Sequence, residues 1–73
     1  MPGKNFVRVE GEVIEVLPGT LFRVQLKNGH QILAHVPRRF RGTFEAAVGE
    51  KVILAVSPYD LSKGMIVVEE KNL

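Results

Sequence analysis

Residues 7–36 read "VRVEGEVIEVLPGTLFRVQLKNGHQILAHV". Apolar and polar residues alternate through most of this stretch, the period of a half-buried β-strand. Val7, Val9 and Val13 hold odd positions, then Ile14 and Val16 move the apolar set to even ones. A phase change inside one strand predicts a bulge or sharp bend, and Gly11 offers backbone freedom for it. "LPGT" (17–20) predicts a turn, with Pro18 presetting φ and Gly19 able to take a positive one. In the strand that follows, Phe22, Val24 and Leu26 share one face; Arg23, Gln25 and Lys27 share the other. Asn28-Gly29 is a strong hairpin signal. The third strand, 30–36, turns Ile32, Ala34 and Val36 inward.

Beyond this stretch, Pro37 blocks strand continuation. In "RRFRGTFEAA" (38–47) the alternation fades, which predicts a short helical or irregular insert limited by Gly42. "VGEK" (48–51) predicts another turn, and Val52 to Val56 a fourth strand. "SPYDLSKG" (57–64) reads as a loop, and Met65–Glu70 as a last short strand. The expected fold is all-β: a five-stranded OB-fold, a Greek-key barrel with a short insert between strands 3 and 4. An SH3-like barrel uses similar strands but usually has no insert there.

The chain has 73 residues and no cysteine. One domain, 1–73, is expected. The missing cysteines argue against a disulfide-stapled secreted fold, and no stretch approaches the ~20 apolar residues that span a bilayer. A soluble, cytoplasmic monomer with no membrane partner is expected. Enzyme chemistry finds little support. There is no thiol nucleophile, and Ser57 and Ser62 lie in turn-like sequence. Asp60 is the single aspartate, and His30 and His35, five apart in a strand region, point opposite ways. No paired acid and base, metal cluster or glycine-rich phosphate loop is visible, so no cofactor and no metal are expected.

The formal net charge is only +2, but it is unevenly spread. Residues 16–44 carry Arg23, Lys27, Arg38, Arg39 and Arg41 and no carboxylate. Arginine's rigid donor fork suits phosphate, so this run predicts a polyanion-facing surface. OB-folds bind oligonucleotides on strands 2–3 and flanking loops, the acid-free part of this chain. With few aromatics, the balance favours folded RNA, held through backbone and shape, over single-strand stacking. Phe40, Phe44 and Tyr59 are the candidate stackers, each more often a packing residue. A general RNA binder or RNA chaperone, and a protein-interaction module using exposed strand edges, are the alternatives.

Two blocks carry a family resemblance. "LPGTLFRVQLKNGHQILAHV" (17–36) resembles the bacterial translation initiation factor 1 signature L-P-N-x-x-F-R-V-x-L-x-N-G-H, followed by A-H-I or A-Y-I. "SPYDLSKGMIV" (57–67) resembles its second signature, T-P-Y-D-L-[ST]-K-G-R-I-V. The resemblance implies an S1-like OB-fold that binds 16S rRNA at the decoding (A) site of the small (30S) ribosomal subunit, beside a ribosomal protein. It implies a factor that blocks premature tRNA entry and assists the other initiation factors, without catalysis. By position, it implies RNA contact through Pro18, Gly19, Thr20, Arg23, His30, His35, Arg39, Arg41 and Lys63; Arg38 joins them from the arginine cluster. Tyr59 and Asp60 match a position where a structural turn is as expected as contact. The chain departs from the family at Pro37-Arg38, where the pattern has Ser-Gly, at Glu45 and Ala46, and at Met65, where it has arginine. It also ends in an acidic "VVEEKNL".

Overall fold

The computed structural model describes residues 6–68. Five strands form in order: β1 (Val7–Leu17), β2 (Leu21–Leu26), β3 (Gln31–His35), β4 (Lys51–Ser57) and β5 (Asp60–Ile66). They close into a barrel in the order β1-β2-β3-β5-β4. Four neighbouring pairs are antiparallel, and β3–β5 is parallel. That order, with a parallel contact made across the insert, is the expected OB-fold. Among the described residues, no helix is long and apolar enough to cross a membrane.

β1 serves two partners. Its first half pairs with β4 and its second half with β2, and Gly11 and Glu12 belong to both ladders. The phase change is present, but it sits between Val13 and Glu15, not at Gly11. After the extra residue, Val16 pairs with Phe22, yet it stays half exposed near the strand's end. Gly11 is not among the residues with positive φ, and its role is space. A Cβ there would lie 2.5 Å from Cγ1 of Val24 and 3.1 Å from the carbonyl oxygen of Gln25.

The inward sets on β2 and β3 are as the alternation predicts. Phe22, Val24, Ile32, Ala34 and Val36 join Val13, Leu54, Val56 and Ile66 in one buried core, and among the described residues no charge is buried. The Asn28-Gly29 hairpin has a three-residue loop. The Leu26 N–H donates to the carbonyl of His30, and Gly29, with φ +90°, ends the loop in the left-handed region.

The insert forms a single 3₁₀ turn over Arg38–Phe40. The Phe44 N–H donates to the Phe40 carbonyl at 2.9 Å, and the segment then closes over the core. Phe44 meets Phe22 edge-on, with ring centroids 5.8 Å apart, and Phe40 and Ala46 pack on the same cluster.

The last strand departs from expectation. β5 begins at Asp60, so most of "SPYDLSKG" is strand and the connection is only a tight turn. Pairing of Asp60 to β4, of Lys63 to β3, and of Gly64 and Met65 to both outweighs the turn-like composition of Asp60–Lys63. Residues 69 and 70, also assigned to that strand by sequence, lie outside the described residues.

Candidate nucleic-acid interface

The strand registers sort the candidate residues by position. On the outer surface, Glu15 lies opposite Arg23, Arg23 opposite Leu33, and Leu33 opposite Lys63. Strands lie ~4.8 Å apart, so this row covers roughly 14 Å. A parallel row runs Leu17, Leu21, His35, Met65. Together they make a face across β1, β2, β3 and β5 in which Arg23, Lys63 and His35 stand among apolar Leu17, Leu21, Leu33 and Met65, with Glu15 at its β1 edge.

Two connections leave the barrel from the end of this face. The turn Pro18–Thr20 joins Leu17 to Leu21, and Leu21 pairs with His35. The insert begins at Arg38, three residues past His35. β2 and β3 are antiparallel, so the start of β2 and the end of β3 lie side by side. The 18–20 turn and the arginine-bearing insert therefore project from one end of the barrel.

The insert's construction presents its cations to solvent. Pro37 opens the 3₁₀ turn, the Phe40 N–H donates to the Pro37 carbonyl at 2.9 Å, and the Arg41 N–H donates to the Arg38 carbonyl at 3.2 Å. Half-buried Phe40 anchors the turn on the core, while Arg38, Arg39 and Arg41 are exposed. The Arg39 guanidinium carbon sits 5.2 Å from the Phe40 ring centroid, a cation–π approach. Among the described residues none of these three arginines makes an ion pair, so their forks are available to an anion.

Arg23 differs. Its Nε donates to Oε1 of Glu15 at 3.1 Å, across the β1–β2 ladder. The acid-free run is thus acid-free in sequence only, because the register returns a carboxylate to it. Both side chains are partly exposed, so the pair is weak and solvent-screened.

His30 stands apart from the other candidates. It precedes β3 at the opposite barrel end, about 16 Å of strand away from His35. Its Nε2 lies 2.8 Å from the carbonyl oxygen of Leu61, linking the β2–β3 hairpin to β5. Lys27 shares that end. Among the described residues, no group of three His, Cys, Asp or Glu could hold a metal.

A groove of about 310 Å³ borders this face. His35, Lys63 and Met65 line it together with Phe6 and Asp60. The Ser62 hydroxyl donates to Oδ1 of Asp60 at 2.7 Å and the Ser62 N–H at 3.1 Å. These bonds, with Lys63 nearby, hold the Asp60 carboxyl below its ordinary pKa.

Of the candidate stackers, Phe40 and Phe44 are committed to the core. Tyr59 is 85% exposed, but it sits at the β4–β5 connection, at the end shared with His30. The sequence pattern does not single out Phe6, half exposed at the groove, or Leu33 and Met65, apolar residues facing outward. Alternation places Leu33 outward; only the β3–β5 pairing places Met65 beside His35.

The family described as translation initiation factor 1A / IF-1 matches residues 1–72. Among solved structures, the chain is similar to that of translation initiation factor 1 from the Wolbachia endosymbiont strain TRS of Brugia malayi. The TM-score is 0.75 at 36% sequence identity, over 96% of this chain and 84% of that one.

Proposed function

This chain belongs to the translation initiation factor 1A / IF-1 family, and from that premise we propose that it binds 16S rRNA at the decoding (A) site of the small ribosomal subunit. It acts there by occupancy: a rigid barrel fills the site, blocks premature tRNA entry and assists the other initiation factors. Pro18, Gly19, Thr20, Arg23, His35, Arg38, Arg39, Arg41 and Lys63 form the RNA-facing surface. His30, tied to Leu61 at the far end, supports the barrel.

The observation that carries this reading is the shared barrel end. Three arginines without ion pairs among the described residues project beside the 18–20 turn, and both flank a face bearing Arg23, His35 and Lys63. Such a surface suits phosphates held at fixed spacing in a folded RNA. Guanidinium forks bind the phosphates, and the apolar outer residues lie against sugar edges. The scarcity of exposed aromatics there disfavours stacking of single-stranded bases.

Replacing Arg39 and Arg41 together by alanine tests it. Cosedimentation with isolated small subunits should weaken while the melting temperature holds. The slope of log affinity against log salt should flatten by up to about two, close to one for each phosphate no longer neutralised. Unchanged affinity and slope would refute the assignment. Wild-type binding that saturates at one copy and is competed by A-site ligands fits the proposal. Equal binding to arbitrary single strands would point instead to a general RNA binder or chaperone.

A further inference from the structure

Among the described residues, Arg23 is the one interface arginine held by a carboxylate; Arg38, Arg39 and Arg41 have no such partner there. A backbone irregularity brings that carboxylate into place. Val13 pairs with Val24 and the next pair is Glu15 with Arg23, so Ile14 is the extra residue of a bulge. Had the register run on, an apolar side chain would stand opposite Arg23. Bulges recur where a strand must re-aim a side chain. Here the bulge sets the single carboxylate of the row Glu15, Arg23, Leu33, Lys63 against one of its two cations.

The pair is not a structural clamp. Nε alone donates, at 3.1 Å, whereas a bidentate grip engages two N–H groups of the fork. The side chains of Arg23 and Glu15 are 40% and 54% exposed, so both are open to an incoming phosphate. A pair this exposed contributes little to folding. Its charge matters more to a polyanion. With Glu15 present the row carries one net positive charge; Arg23 and Lys63 alone would carry two.

We propose that Glu15 is a brake on RNA affinity: it masks the Arg23 cation, and phosphate must compete for it. The inference rests on the RNA-binding reading above. A factor that blocks premature tRNA entry by occupancy must also vacate the site. An interface with every cation free would hold RNA phosphates longer. Glu15 offsets one cation at the β1 edge of the face and leaves the insert arginines as the main grip. Arg23 arrives already neutralised, so its contact with phosphate releases no counterion of its own.

Glu15→Gln keeps a side-chain oxygen able to accept from Nε and removes the charge. Its binding to isolated small subunits should tighten by about twofold to fivefold. The slope of log affinity against log salt should steepen by about one. The melting temperature should hold, as expected of an exposed pair. Glu10→Gln is the control. It makes the same charge change beside β4, the one strand outside this face, and should move affinity by less than about 1.5-fold. Unchanged affinity in Glu15→Gln overturns the proposal. So does weaker binding, which would make Glu15 a support for Arg23, and so does tighter binding at an unchanged salt slope. Equal tightening in Glu10→Gln would make the effect one of net charge and overturn it as well. Failure of the wild-type protein to bind subunits would overturn the RNA-binding reading beneath it. Wild-type binding that depends on Arg39 and Arg41 but is matched by Glu15→Gln would overturn this inference alone.

Discussion

Gly11 permits a stability prediction with an internal control. An alanine Cβ would sit 2.5 Å from Cγ1 of Val24, about 1 Å inside ordinary contact, and 3.1 Å from both the Gln25 carbonyl oxygen and Cδ2 of Leu26. Val24 is fully buried and β-branched, so it has no easy alternative rotamer. The Gln25 oxygen belongs to backbone within the β1–β2 ladder. Overpacking of this kind costs about 1–3 kcal/mol. Losing a strand glycine returns about 0.5–1 kcal/mol. Gly11→Ala should therefore be destabilised by about 1–2 kcal/mol, or about 5–15 °C for a domain of this size. Thermal unfolding followed by circular dichroism measures it. At Gly42 an alanine Cβ would meet no heavy atom within 4 Å, and φ is not positive, so Gly42→Ala should be neutral or raise the midpoint slightly. The double variant Gly11→Ala/Val24→Ala removes the clashing methyl, so it should cost less than the two single changes summed, with a coupling of about 1 kcal/mol. A Gly11→Ala midpoint equal to wild type, or strict additivity, would refute the claim that Gly11 is a packing glycine.

Phe44→Ala removes the edge-on contact with Phe22 and opens the barrel end. Because Phe44 is only partly buried, the cost should be about 2–3 kcal/mol, below the ~3–5 kcal/mol of a fully buried phenylalanine, and read as a lower urea midpoint at unchanged slope. Asp60 predicts an acid dependence. Its carboxyl titrates below the ordinary value of 3.8, so its stabilising contribution is present above that value and lost as pH falls through the folded-state pKa. Melting curves of wild type and Asp60→Asn should therefore differ by a constant amount above about pH 5 and converge on acidification; a gap that widens toward low pH would contradict the assignment.

Much of this architecture was legible in local pattern. Alternation located the inward residues of β2 and β3, and Pro37 with Gly42 bounded the insert's helical turn. What escaped depends on residues distant in sequence. Asp60–Lys63 has the composition of a turn and becomes strand because Asp60 pairs with Ser57 of β4, Lys63 pairs with Leu33 of β3, and Gly64 and Met65 just after it pair on both sides. Gly11 looks like a hinge until Val24 is placed against it. The Glu15–Arg23 pair needs the bulge at Ile14 to bring the two opposite each other, since an unbroken register would set Ile14 against Arg23. For the interface, the arginine cluster was visible as charge, but its shared end with the 18–20 turn followed only from the antiparallel β2–β3 pairing. The positive φ of Thr20, +60°, left no compositional trace, because its neighbour Gly19 already accounts for a turn.

The position of β5 also governs how the chain can be made. The last strand in sequence is inserted between β3 and β4, and β1, the first, waits for β4 to complete its second ladder. Such distant pairings place the fold among slow-forming, high-contact-order topologies. During synthesis, a chain emerging N-terminus first carries two raw strand margins, on β3 and β4, until β5 clears the exit tunnel. Assembly is therefore a single late event, and a nascent chain cut short before residue 60 would expose sticky edges and not a smaller working protein.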